Sequence, residues 1–177
     1  MLHILLIVLV LVPVGFVYAS LFEWVFHGRI MHRDLGLLTY PHSTHTHHHK
    51  LFTYDDYHLQ RKTDETKIAM AWWNGPILIC IGSMPFWLAA LLFALFSEYM
   101  MAGAIGFSGV FVSASYYGAY EYLHWCMHAP RNRFVERTRV FIWIKEHHRL
   151  HHRRWKKNLN VVLPLGDLFF GTLIREK

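Results

Sequence analysis

Long stretches without charged residues alternate with polar segments along the chain, and this pattern predicts membrane-spanning helices. Residues 1–22, 68–97 and 99–120 contain no Lys, Arg, Asp or Glu, and Glu98 alone separates the last two stretches. About 20 apolar residues suffice to cross a bilayer as an α-helix. We therefore expect an all-α integral membrane bundle of about three to four spans, forming one domain over residues 1–177.

The first apolar stretch has a second interpretation, as a cleaved signal peptide that ends near Ala19 and Ser20. A signal peptide begins with a basic region and has a shorter apolar core. Residues 1–22 contain no Lys or Arg and are apolar over nearly their whole length. These features favour a retained membrane helix.

The second apolar stretch, residues 68–97, is longer than one span requires, and it contains Pro76 and Pro85. Membrane helices tolerate proline where neighbouring groups satisfy the freed backbone. The stretch could tilt, kink or begin along the membrane surface, so the number of spans between residues 68 and 97 is left open.

The polar segments carry an unusual concentration of histidine. The pattern H-x-x-H-H occurs twice, and a spaced histidine pair precedes each copy. Ten of the 15 histidines therefore form two sets of five along the chain, the N-terminal set His27, His32, His45, His48 and His49 and the C-terminal set His124, His128, His148, His151 and His152.

This spacing predicts metal binding, because residues at i, i+3 and i+4 share one face of a helix and neutral imidazole is a common metal ligand. A single H-x-x-H-H motif is weak evidence, since a histidine-rich loop produces it too. Two copies, each preceded by a pair and each next to an apolar stretch, favour a centre of two metal ions with open positions. The pair His27 and His32 is five residues apart, which suits a straight helix poorly, and Gly28 is expected to loosen the turn.

Metal-bound histidines commonly donate their second ring N–H to a carboxylate. The acidic residues near the two sets are therefore candidates for orienting the ligands. These candidates are Glu23, Glu121, Glu146 and Asp167.

Positive charge predicts the orientation in the membrane. All 18 Lys and Arg residues lie in residues 28–67 and 124–177, and the net charge of the chain is +6. Positively charged loops stay in the cytoplasm. We therefore expect the N-terminus outside and both histidine sets on the cytoplasmic face. Attraction to anionic lipid also accounts for basic segments, whereas the uncharged stretches argue against a nucleic-acid-binding protein.

The histidine motifs resemble those of the fatty acid hydroxylase / sterol desaturase superfamily of membrane oxygenases. The resemblance extends from about residue 23 to residue 173. It rests on the four histidine motifs and on an ending similar to that of the family. The matching segments are His27–His32, His45–His49, His124–His128, His148–His152 and Asn160–Thr172.

This resemblance implies a bundle of membrane helices with a cytosolic cap and a centre of two iron ions held by the ten histidines. Zinc could occupy such a site in purified protein. The implied activity is hydroxylation of a lipid, a fatty acyl or related chain, with O₂ and with electrons from a separate donor, a ferredoxin or a b-type cytochrome and its reductase. The chain is short and close in size to bacterial carotenoid hydroxylases, so we expect a bacterial inner membrane.

Two alternatives remain open at this point. A carotenoid hydroxylase or a lipid desaturase of the same superfamily would have the same motifs. A metal-binding membrane protein without enzymatic activity, or a transporter, would also bind metal, but a transporter places its ligands near the middle of the membrane. The substrate, the regiochemistry and the oligomeric state do not follow from the sequence.

Overall fold

All regular elements in the described part of the chain are helical. The computed structural model describes residues 2–36 and 39–176, so the predicted all-α class is confirmed for these residues. In chain order the elements are α1 (Leu2–Val25), a π-helix (Phe26–Met31), α2 (Thr39–Leu51), a 3₁₀ helix (Lys62–Lys67), α3 (Asn74–Leu95), α4 (Tyr99–His128), a 3₁₀ turn (Val135–Arg137), α5 (Arg139–Arg153) and α6 (Leu165–Phe169).

The chain folds into two compact units. The first contains the residues up to Ala19 together with Ala71–Ala119, and therefore the first parts of α1 and α4 and all of α3. The second contains Ser20–Met70 and Tyr120–Lys177. All ten histidines of the two predicted sets belong to the second unit.

Two helical stretches are long and apolar enough to cross a membrane, His3–Met31 and Asn74–Leu95. Only 17% and 11% of their most apolar windows are buried, so few of these apolar side chains are covered by the rest of the protein. The helix α4 has 30 residues, but its glycine, serine and tyrosine residues make it less apolar than the other two. A third span in α4 therefore stays a prediction.

In the first unit, α3 and α4 approach closely at Gly109. A Cβ atom placed on Gly109 would lie 2.4 Å from the Cβ of Phe86, a distance too short for two carbon atoms. By contrast, a Cβ on Gly103, in the same helix, would meet no atom within 4 Å. Glycine at residue 109 is therefore required by packing, whereas glycine at residue 103 is not.

In the second unit, two short helices carry the H-x-x-H-H motifs. Pro41 lies in the first turn of α2, where a helix does not need the missing N–H. The helix α5 begins after Thr138, whose hydroxyl oxygen accepts a hydrogen bond from the Phe141 amide at 3.2 Å and so caps the helix. Both motifs are therefore helical, as their spacing requires.

The contact at Gly109 gives a testable prediction for stability. Gly109→Ala should lower the free energy of unfolding by about 1–3 kcal/mol, because the new methyl group overpacks against Phe86. Gly103→Ala is the matched control, and it should be neutral or stabilise by up to about 1 kcal/mol through helix propensity. Thermal unfolding in detergent measures both. Equal melting temperatures for the two variants would contradict the close approach.

Candidate metal centre

The ten histidines of the two predicted sets converge in space into two groups of five. Within each group, one nitrogen from every ring lies within 4.8 Å of the others. Nine of the ten rings are buried, and His32 is half-buried. The first histidine group consists of His27, His32, His45, His49 and His151, and the second histidine group consists of His48, His124, His128, His148 and His152.

In the first histidine group the Nε2 atoms face one another. The Nε2 of His45 lies 2.9 Å from that of His27, 3.2 Å from that of His32 and 3.0 Å from that of His49. The Nε2 of His151 lies 3.1 Å from that of His32 and 3.2 Å from that of His49. Five ring nitrogens therefore surround one small volume.

In the second histidine group, three Nε2 atoms lie close together and two lie further away. The Nε2 of His148 lies 3.3 Å from that of His128 and 3.1 Å from that of His152. The two groups are neighbours, because the rings of His49 and His152, which belong to different groups, pack with their centroids 4.3 Å apart. The geometry is that of a paired centre rather than of two separate sites.

Each H-x-x-H-H motif contributes to both groups. In each motif the i and i+4 histidines belong to one group, the first for His45 and His49 and the second for His148 and His152. The i+3 histidine enters the other one, so His48 belongs to the second group and His151 to the first. The two sets along the chain are therefore not the two groups in space, since one histidine of each set is exchanged.

A π-helix brings the first histidine pair together. The amide of His32 donates to the carbonyl of His27 at 3.2 Å, which is the i to i+5 hydrogen bond of a π-turn. The two rings then stack with their centroids 5.0 Å apart. Gly28, which follows His27, gives room to Leu159, because a Cβ on Gly28 would lie 2.8 Å from the Leu159 side chain. The spacing of five, unfavourable for an α-helix, is thus accommodated.

Backbone carbonyls fix the orientation of at least five of the ten rings. In each case the Nδ1 atom lies within hydrogen-bond distance of a carbonyl oxygen and must donate to it, which leaves Nε2 with a free lone pair. The pairs are His27 with Leu159, His151 with Lys157, His48 with Lys67, His128 with Tyr57, and His152 with Phe52.

The free lone pairs make a cation the appropriate occupant of each group. Nitrogen atoms with lone pairs that face one another at hydrogen-bond distance repel unless a proton or a metal ion lies between them. The Nε2 atoms of His48 and His124 are buried without any hydrogen-bond partner, and such atoms are costly unless a ligand satisfies them. These observations fit a metal ion bound by Nε2 atoms.

The separations also indicate the size of the ligand shell. Around an ion with Nε2 ligands at about 2.1 Å, neighbouring ligand atoms are about 3.0 Å apart in a six-coordinate shell and about 3.4 Å apart in a four-coordinate one. The neighbouring Nε2 distances in the first group are 2.9 to 3.2 Å. This spacing is nearer to that of a six-coordinate shell, in which five imidazoles would leave one position for another molecule.

Burial keeps the rings in the neutral form that binds metal. Loss of hydration lowers the pKa of His32 to about 4, and the nearby His42 adds to this shift. Burial also lowers the pKa of His48 to about 4, although its hydrogen bond to the Lys67 carbonyl opposes the change. Burial and repulsion from neighbouring rings lower the pKa of His45, His148 and His151 well below 6.5.

The four candidate carboxylates have other contacts. Glu23 accepts from the Val161 amide at 2.6 Å, and Glu121 accepts from the Met70 amide at 3.2 Å. Half-exposed Glu146 lies 3.5 Å from Arg149. The fully buried Asp167 lies 3.1 Å from the Nε2 of His147, a buried histidine outside the ten. Backbone carbonyls, which a sequence does not single out, accept the ring N–H groups instead.

Comparisons with known proteins add no assignment to this geometry. No protein-family model, no curated protein and no solved structure matches the chain. The assignment of a metal site therefore rests on the structure itself, in which two buried groups of histidine nitrogens are able to hold metal ions.

The depressed pKa values predict that the metal-free chain is sensitive to acid. Folded His48, with a pKa of about 4, stays neutral while the unfolded chain binds a proton below pH 6.5. Its contribution, about 3 kcal/mol, is therefore present above pH 6.5 and lost as the pH falls towards 4. Thermal unfolding of the chelator-treated protein should show a melting temperature that falls steadily from pH 7 to pH 5. A constant melting temperature over this interval would contradict neutral buried rings.

Proposed function

We propose that this chain is a membrane-bound di-iron oxygenase that hydroxylates a lipid, a fatty acyl or related chain. The observation that carries the proposal is the pair of adjacent groups, each with five imidazole nitrogens, which is more than the four ligands of a closed site. Structural zinc sites are closed with four ligands, whereas sites that act on a substrate keep a position open. Imidazole suits iron, and zinc has no redox chemistry.

Bound iron would supply the redox chemistry that activates O₂. In the overall reaction a C–H bond of the lipid, O₂, two electrons and two protons give a C–OH group and water. The electrons come from a separate donor, a ferredoxin or a b-type cytochrome with its reductase. The proposal thus requires O₂, a reductant and a lipid, each of which can be withheld in an experiment.

The chain's own residues hold the centre rigid and keep water away. The Nδ1–H of His27 donates to Leu159 and that of His151 donates to Lys157, so neither ring can rotate freely. The ring of Tyr57 packs 4.5 Å from that of His128 and covers the second histidine group. A dry site with fixed ligands limits side reactions of a strong oxidant.

Two apolar helical stretches support a membrane location for the proposed enzyme. His3–Met31 and Asn74–Leu95 have the length and composition of spans, and few of their side chains are buried inside the protein. Since every Lys and Arg lies in residues 28–67 and 124–177, the positive-inside rule favours a cytoplasmic centre and an external N-terminus. We propose a bacterial inner membrane as the location.

The proposed activity is tested by mass spectrometry of lipids from cells that express the chain. Wild-type cells should contain a lipid that has gained one oxygen, and cells with His148→Ala should lack it, because His148 belongs to the second histidine group. The matched control is His47→Ala, which changes an exposed histidine next to that group's His48 on the same helix and should retain the product.

Other outcomes would identify the alternatives. A lipid that has lost two hydrogens would indicate a desaturase, and a hydroxylated carotenoid would indicate a carotenoid hydroxylase. Identical lipids in all three strains, with iron and a reductant system supplied, would contradict an oxygenase and favour a metal-binding protein without enzymatic activity.

The proposed orientation predicts which side of the membrane a protease can attack. Trypsin cleaves after Lys and Arg, which are confined to the two polar segments. It should therefore cut the chain in inverted membrane vesicles and leave it intact in right-side-out vesicles, as seen on an immunoblot. Cleavage only in right-side-out vesicles would reverse the proposed orientation.

A further inference from the structure

The two histidine groups are anchored by different stretches of backbone. The Nδ1 atoms of His27 and His151, both in the first group, donate to carbonyls of Leu159 and Lys157. Three rings of the second group instead donate to carbonyls in residues 52–67, those of Phe52, Tyr57 and Lys67. We call residues 157–172 the anchor segment. In the described hydrogen bonds, its carbonyls orient rings of the first histidine group only, and its other contact with the histidine-bearing helix α5 is to His147.

Asp167 holds the anchor segment in shape. One carboxylate oxygen accepts from the Leu159 amide at 2.8 Å and from the Thr172 hydroxyl at 2.6 Å. The other accepts from the Asn160 amide at 2.8 Å and lies 3.1 Å from the His147 ring nitrogen. The carboxylate is fully buried, and its four partners satisfy it. One of these partners, Leu159, presents its carbonyl to His27.

The anchor segment also fits closely against the end of α1. Glu23, one turn before His27, accepts from the Val161 amide at 2.6 Å. The indole N–H of Trp24 donates to the Thr172 hydroxyl at 2.8 Å. Gly166 lies so close to Trp24 that a Cβ on it would be 2.5 Å from the Trp24 Cβ. The Leu159 carbonyl is therefore held from two sides, by Asp167 and by α1.

We propose that Asp167 is a positioning residue for the first histidine group, acting on His27 through the Leu159 peptide. An Asn side chain at residue 167 offers one acceptor oxygen where Asp offers two. One of the buried amides, Leu159 or Asn160, then faces an NH₂ group and loses its acceptor. The backbone turns to separate these two N–H groups, and the Leu159 carbonyl that orients His27 moves with it. The ion of the first group is then bound more weakly.

The second histidine group should be unaffected, because its anchors lie in residues 52–67. This selectivity separates a positioning role from a general structural one. A substitution that merely loosened the fold would weaken both ions. The proposal rests on the metal-binding part of the proposed function and not on the oxygenase reaction, so it can be tested with a metal alone.

The test uses purified full-length protein in detergent, loaded with zinc(II) and dialysed against a competing chelator. Wild type should retain about two zinc ions per chain, one for each group. Asp167→Asn should retain the ion of the second group and bind the other about 10- to 100-fold more weakly, the range for lost outer partners of metal ligands. Glu146→Gln, a matched carboxylate-to-amide change at a half-exposed residue, should behave as wild type.

Two double variants identify which ion is lost. Added to His148→Ala, which removes the second group's ion, Asp167→Asn should also weaken the remaining ion. Added to His45→Ala, which removes the first group's ion, Asp167→Asn should leave the zinc affinity of the second group unchanged. Equal weakening in both backgrounds, or loss of both ions from Asp167→Asn alone, would overturn the proposal.

A milder variant tests the positioning role of Asp167 if Asp167→Asn does not fold. Thr172→Val removes one hydrogen-bond donor to Asp167 and should weaken the same ion, again only in the His148→Ala background. Wild-type protein without zinc would refute the metal centre itself. Wild type with about two zinc ions and an unchanged Asp167→Asn variant would refute only the positioning role.

Discussion

The structure depends on one electrostatic constraint, the convergence of buried imidazole lone pairs on two small volumes. Burial makes protonated rings unfavourable, so protons cannot relieve the repulsion among the Nε2 atoms at neutral pH. A bound cation relieves it, and the backbone carbonyls that accept from Nδ1 ensure that the lone pairs point inward. The short helices α2 and α5, the π-turn after α1 and the polar segments around them all serve this arrangement.

The sequence predicted this centre in outline because histidine spacing is visible in it. The charge-free stretches predicted α1 and α3, and the H-x-x-H-H pattern indicated which histidines share a helical face. The exchange of His48 and His151 between the groups was not predicted. It depends on how α2 and α5 face each other, which local spacing does not encode. Whether the ten residues bind iron stays a prediction.

The anchors of the rings could not be predicted, because backbone carbonyls carry no sequence signal. We expected carboxylates to accept the ring N–H groups. They accept hydrogen bonds from backbone amides near those rings instead. Asp167 accepts from the amide of Leu159, whose carbonyl orients His27, and Glu23 accepts from the nearby Val161 amide. A buried acid near a metal site can thus act through the backbone, and its proximity in sequence to a ligand does not reveal this.

X-ray absorption spectroscopy at the iron edge, on protein purified from iron-supplemented cells, tests the central claim most directly. The account predicts a nitrogen-rich shell at about 2.1 Å with imidazole scattering, no sulfur ligand and a second iron scatterer, since both histidine groups lack cysteine and lie side by side. A shell with sulfur, or a single isolated ion without imidazole scattering, would contradict it.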